Sequence, residues 1–160
     1  MILRLTLAAA LLAPVAVAAQ DLPTAPYLPL DMAQSAARAA LDACAADGHN
    51  VSVAIVARSG VTTVVLRADN AGPHTVGSSV GKAFTSASMG RDTAGLAAFI
   101  GENPANDGLR AMDDRMVIQA GGLPIRIGGA LVGGIGVGGA PSGDTDAACG
   151  RSGLDAIGAE

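Results

Sequence analysis

The chain has 160 residues, of which 50% are hydrophobic and 2% aromatic, and a formal net charge of −4. A negative balance with no basic cluster excludes an electrostatic nucleic-acid footprint. The core must be built from Ala, Val, Ile and Leu, which rewards close backbone packing.

The first residues carry a targeting pattern. Arg4 supplies a positive charge, Leu5 to Val17 an apolar stretch, and Ala16-Val17-Ala18 or Val17-Ala18-Ala19 a small-residue cleavage site. This predicts a signal peptide over residues 1–19 and a periplasmic or secreted single domain over residues 20–160. The apolar stretch falls short of the roughly 20 residues a spanning helix needs, and no later segment reaches that length without glycine or charge. No membrane span is expected.

Asp21 to Pro29 holds three prolines and reads as an extended lead-in ordered by docking. Asp31 with Gln34 forms a capping-box-like pair, and Met32 to Ala46 is rich in helix formers until Asp47-Gly48 stops it. Val51 to Ala57 and Val61 to Arg67 are β-branched runs around Arg58-Ser59-Gly60, an antiparallel hairpin pattern. After the Asp69-Asn70-Ala71-Gly72-Pro73 turn, Val76, Val80, Ala83, Phe84 and Ala87 recur at helical spacing through Met89. Thr93 to Ile100 predicts a further short helix, Gly101 to Gly108 a loop, and Met116 to Ala120 a strand.

Gly121 to Val137 reads as two apolar runs joined by Gly128-Gly129, a hairpin whose turn requires positive φ at both central positions. Along the second run Val132, Gly134 and Gly136 share a nearly bare face, which marks close approach by a helix, a subunit or a ligand. Gly134, Gly136 and Gly139 also match the G-x-G-x-x-G spacing of a dinucleotide loop. That reading fails, because the chain after Gly139 has no room for the second strand that would carry the ribose-binding carboxylate. Asp144 to Ile157 closes the chain as a helix. Strand pairs joined by tight turns, with helices between them, predict an α+β fold with an antiparallel sheet.

Cys44 and Cys149 are the only cysteines, each in a predicted helix among small neighbours. Export and the even count favour a disulfide, for which the small neighbours allow the needed close approach. The alternative is two buried thiols acting as small hydrophobes.

Several segments together resemble the GlcG/HbpS-like family, also called the haem-degrading domain family and shared with the C-terminal domain of PduO proteins. They are Val51 to Val56, Arg67-Ala68-Asp69 to Gly72-Pro73, Lys82-Ala83-Phe84-Thr85-Ser86-Ala87, Gly121 to Arg126, Val132 to Val137, and Asp146 with Cys149 and Gly153 to Ile157. The resemblance covers nearly all of the mature chain. It implies a profilin-like α+β fold with about five antiparallel strands between helices, a homo-oligomer, and haem as the best single ligand; a sensor or transport partner is a further expectation.

Histidine is the commonest nitrogen ligand for haem iron. His74 precedes the helix beginning at Val76, where its ring could enter a groove; the alternative is a solvated or capping residue. His49 follows a helix end, where a cation suits the dipole. Lys82 breaks the apolar pattern of its helix and could pair with a haem propionate, or form an ordinary salt bridge. Thr85 and Arg91 are neighbouring polar candidates. Gly81-Lys82-Ala83 lacks the features of a phosphate loop. Asp113-Asp114 reads as a charged turn, and the Asn50-Val51-Ser52 sequon opens a buried strand. No enzyme constellation stands out, which leaves three readings: a haem-binding protein, a structural or sensory module, and an enzyme acting on a haem-like or organic-acid substrate.

Overall fold

The computed structural model describes residues 21–160, so the expected signal peptide lies outside them. In chain order the elements are α1 (Leu30–Ala46), β1 (Ser52–Ala57), β2 (Thr62–Arg67), α2 (Thr75–Met89), α3 (Thr93–Glu102), a 3-10 helix (Pro104–Ala111), β3 (Gly122–Ile127), β4 (Ala130–Gly138) and α4 (Gly143–Asp155). The strands form one antiparallel sheet in the order β2-β1-β4-β3. The α+β class is as expected.

Alternation along the strands divides the core between two faces. Val53 and Ile55 of β1 and Ile135 and Val137 of β4 pack with Ala36, Ala37, Ala40 and Cys44 of α1 and with Cys149 and Leu154 of α4. On the other face Ala54 and Val56 meet Ala83, Phe84 and Ala87 of α2. Leu96 and Ile100 of α3 form a smaller cluster with Ile118. The bare strand face now has its neighbour. A Cβ placed on Gly136 would lie 2.5 Å from Ala83 N, and one on Gly134 2.7 Å from Ala87 N, both backbone atoms of α2. Absence of side chains lets the helix rest directly on β4. The turn Gly128-Gly129 has φ of 56° and 79°, the positive pair a tight hairpin demands.

Among the described residues the sheet has four strands, not about five. Met116 to Ala120 joins no ladder and bends at Gln119 and Ala120, and side chains answer part of its backbone instead. Thr85 Oγ1 accepts the Val117 N–H at 2.9 Å, and Thr93 Oγ1 donates to the Gln119 carbonyl at 2.5 Å. The available sheet edge at β3 is also closed: Pro124 offers no N–H there, and Glu160 exchanges two backbone hydrogen bonds with Arg126 at 2.9 and 3.0 Å. Two smaller expectations also change. Asp31 lies in the first turn of α1 and makes no cap, the N-cap being Pro29, whose carbonyl accepts from Ala33 N. The expected loop from Gly101 is occupied by the end of α3 and the 3-10 helix, which Asn103 caps by accepting from Ala105 N and Pro104 begins.

Cys44 and Cys149 form a disulfide with Cα atoms 5.5 Å apart, across 105 residues of sequence. It joins α1 to α4 on one face of the sheet. No described helix is long and apolar enough to cross a membrane.

Candidate ligand-binding site

Where the carboxyl ends of β4 and the start of α4 meet the first turns of α2, a cleft of about 370 Å³ opens. His74, Ser78 and Lys82 of the α2 segment line it, together with Gln119 and Ala120, the Gly139 to Gly143 loop and Asp146. Two of the three predicted site residues, His74 and Lys82, are therefore brought together.

Lys82 sits one turn beyond Ser78 on α2, with its side chain only 5% exposed. Its ammonium donates to Asp146 Oδ2 at 2.8 Å and to the Val137 carbonyl at 3.0 Å. Asp146 accepts in addition from Ala140 N at 3.0 Å through Oδ1. The contact joins the two faces of the sheet, since Lys82 belongs to α2 and Asp146 to α4. It passes beside Gly121, just before β3, where an added Cβ would meet Lys82 Nζ at 2.9 Å and Asp146 Cβ at 2.8 Å. Only glycine leaves that passage open, and its φ of 115° suits no other residue.

His74 is the exposed N-cap residue of α2, with no side-chain cap bond, and its imidazole lies against Gly72. No described residue hydrogen-bonds to the ring. The residue thus stands at the cleft wall with both ring nitrogens unengaged by described residues. Thr85 is not in the cleft. Its hydroxyl donates to the Gly81 carbonyl at 2.8 Å and accepts from Val117 N, so it is spent on holding a buried chain segment. That role corrects the expected cofactor contact.

The remaining candidates lie elsewhere. His49 closes α1 through its backbone N–H to the Cys44 carbonyl, and Arg91 donates to Gly95 O and stacks on Phe99 at 5.3 Å. Asp113 is held by Arg115, whose side-chain and backbone hydrogen bonds push its carboxyl down to about 2. This is the charged turn the sequence suggested. Asn50 is exposed, but Val51 and Ser52 beyond it are buried. Asp146 was legible only as part of a family pattern, because its partner lies 64 residues away.

The family description "Haem degrading protein HbpS-like" matches residues 28–155. The chain belongs to the HbpS-like family. A crystal structure of a double mutant of HbpS from Streptomyces reticuli is 43% identical, with a TM-score of 0.80 over 89% of this chain and 95% of that one. The structure of a PduOC:haem complex is 26% identical, with a TM-score of 0.78 over 84% of this chain and 98% of that one. The Klebsiella pneumoniae protein ORFY, at 23% identity and a TM-score of 0.80 over 88% and 98% of the two chains, shares the fold. No curated protein matches the sequence. For this HbpS-like protein the fold expectation and the family expectation agree.

Proposed function

We propose that this HbpS-like protein is an exported, oligomeric haem-binding protein. The observation that carries the reading is the sharing of one cleft by His74 and Lys82, in a chain whose PduOC relative is solved as a haem complex. The residues fit the group. His74 offers an unengaged imidazole for the iron, Lys82 a cation for a propionate, and Ala120, Ala140 and Pro141 an apolar part of the wall. A cleft of about 370 Å³ lies in the usual range for ligand sites. Bound haem would supply iron-centred redox and ligand chemistry, while the chain's own residues bind and orient it.

Export is supported by the residues at the start of the sequence and by the Cys44–Cys149 disulfide, which persists in oxidising compartments. Oligomer formation is supported by apolar side chains left on the surface: Val61 is 63% exposed and Phe99 42%. Such a surface also suits a sensor or transport partner.

Titration of the mature protein with hemin is the deciding experiment. A saturable Soret shift, weakened in His74→Ala, is expected; no saturable shift in the wild type refutes the reading. The family description favours turnover as a second activity of the same complex, expected as time-dependent loss of haem absorbance with an added reductant. Light scattering on the eluting protein should give a multiple of the subunit mass, and a strict monomer refutes the oligomer.

A further inference from the structure

A lysine ammonium has three N–H donors. In Lys82 two are engaged, by Asp146 and by the Val137 carbonyl, and the third has no partner among the described residues. A buried charged donor left unpaired costs free energy, and the open space beside this one is the cleft. Asp146 is fully engaged in another sense: one oxygen holds Lys82 and the other holds Ala140 N, in the cleft wall. A single carboxylate therefore fixes both the cation and the loop beside it.

The surrounding field gives the preferred charge. The Lys82–Asp146 pair is neutral as a whole. At α4 the positive end of the helix is already answered by Asp144 and Asp146 and capped by Ser142. At α2 it is not: the first turn holds no acidic residue, His74 makes no side-chain cap, and His74 and Ser78 both line the cleft. An unanswered helix end and a spare ammonium proton beside one cavity favour a negatively charged group.

We propose that Lys82 receives the carboxylate of an anionic ligand in this cleft, and that Asp146 is the positioning residue that aims its ammonium there. The carboxylate is a haem propionate or that of a free organic acid, and the chemistry is the same. The inference deepens the haem reading and depends on it only where the ligand is a porphyrin.

The test compares hemin with its dimethyl ester, which keeps iron and macrocycle but masks both carboxylates, and adds a titration with propionate alone followed by amide NMR. Breaking a buried pair by one substitution can unfold a protein, so the double variant Lys82→Met/Asp146→Asn is used beside Lys82→Met, with circular dichroism to verify folding. A charge-assisted hydrogen bond predicts that wild-type protein binds hemin about tenfold or more tightly than the ester, and that the preference vanishes in the folded double variant. Asp146→Asn alone should lose part of the preference while His74→Ala weakens acid and ester alike. Propionate should shift the Ala140 and Gly143 amides saturably in the wild type and not in the double variant. Equal binding of acid and ester by the wild type, or a preference that survives in the double variant, overturns the assignment. If neither porphyrin binds, the propionate arm decides: saturable shifts lost in the double variant uphold the carboxylate site and refute only the haem reading, and their absence refutes the site.

Discussion

Replacing Gly136 by alanine tests whether the bare face of β4 exists to seat α2. The new Cβ would overlap the Ser79 carbonyl oxygen and lie 2.5 Å from Ala83 N, whereas ordinary contact begins near 3.4 Å, so the helix must retreat by more than about 0.9 Å. Both sides of the clash are backbone, within a regular helix and a strand paired on both edges, so no rotamer change relieves it. The retreat loosens Ala83, Phe84 and Ala87 from Ala54 and Val56. Overpacking of this kind costs about 3 kcal/mol, at the upper end of the usual range. For a domain of this size that lowers Tm by about 10 °C. Because α2 also carries Ser78 and Lys82, hemin affinity should fall with stability. Gly77→Ala is the control on the same helix: nothing lies within 4 Å of its added Cβ, and alanine should stabilise it by about 0.5–1 kcal/mol. Differential scanning calorimetry reads both variants. A Gly136→Ala protein melting within about 2 °C of wild type refutes the packing argument.

Other perturbations separate structural from ligand-facing roles. Cys44→Ser/Cys149→Ser should lower unfolding free energy by up to about 4.7 kcal/mol, the chain-entropy value for a loop near 100 residues, measured by urea denaturation and reproduced in wild type by a reductant. Thr85→Val leaves the Val117 N–H without its acceptor and should cost about 1–3 kcal/mol, while hemin affinity stays within about twofold. Asp113 has its carboxyl lowered from 3.8 to about 2 by Arg115, so its contribution to stability is complete above 3.8 and is lost as pH falls through 2. Carboxyl NMR titration should return Asp113 to the ordinary value in Arg115→Gln, and an unchanged titration there refutes Arg115 as the cause.

The elements were legible where chemistry is local. The β-branched runs, the Gly128-Gly129 turn and the apolar spacing of α2 each state their structure within a dozen residues, and each formed close to its expected bounds. The fifth strand was misread because Met116 to Ala120 has strand composition, while the groups that take its hydrogen bonds, Thr85 and Thr93, lie on helices far earlier in the chain. The same long-range dependence affected the site. His74 and Lys82 announced themselves as polar residues at a helix start and within an apolar helix. Thr85 shares that helix, but its buried direction was decided by tertiary packing. Nothing in spacing could join Lys82 to Asp146, although a buried lysine calls for a carboxylate somewhere.

The position of Asp146 relative to Cys149 connects the disulfide with the cleft. Three residues apart on α4, the two side chains lie on neighbouring positions of one helical face, and both are buried. Cys149 ties that turn to α1 on its own side of the sheet, while Asp146 ties it through the Gly121 passage to α2 on the other. One turn of helix is thus bonded to both outer layers. Each tie restricts the motion that would break the other: with the disulfide closed, α4 cannot slide without moving α1, and Asp146 stays within reach of Lys82. The cleft lies beside that turn, which places its charged groups next to a segment bonded to both outer layers.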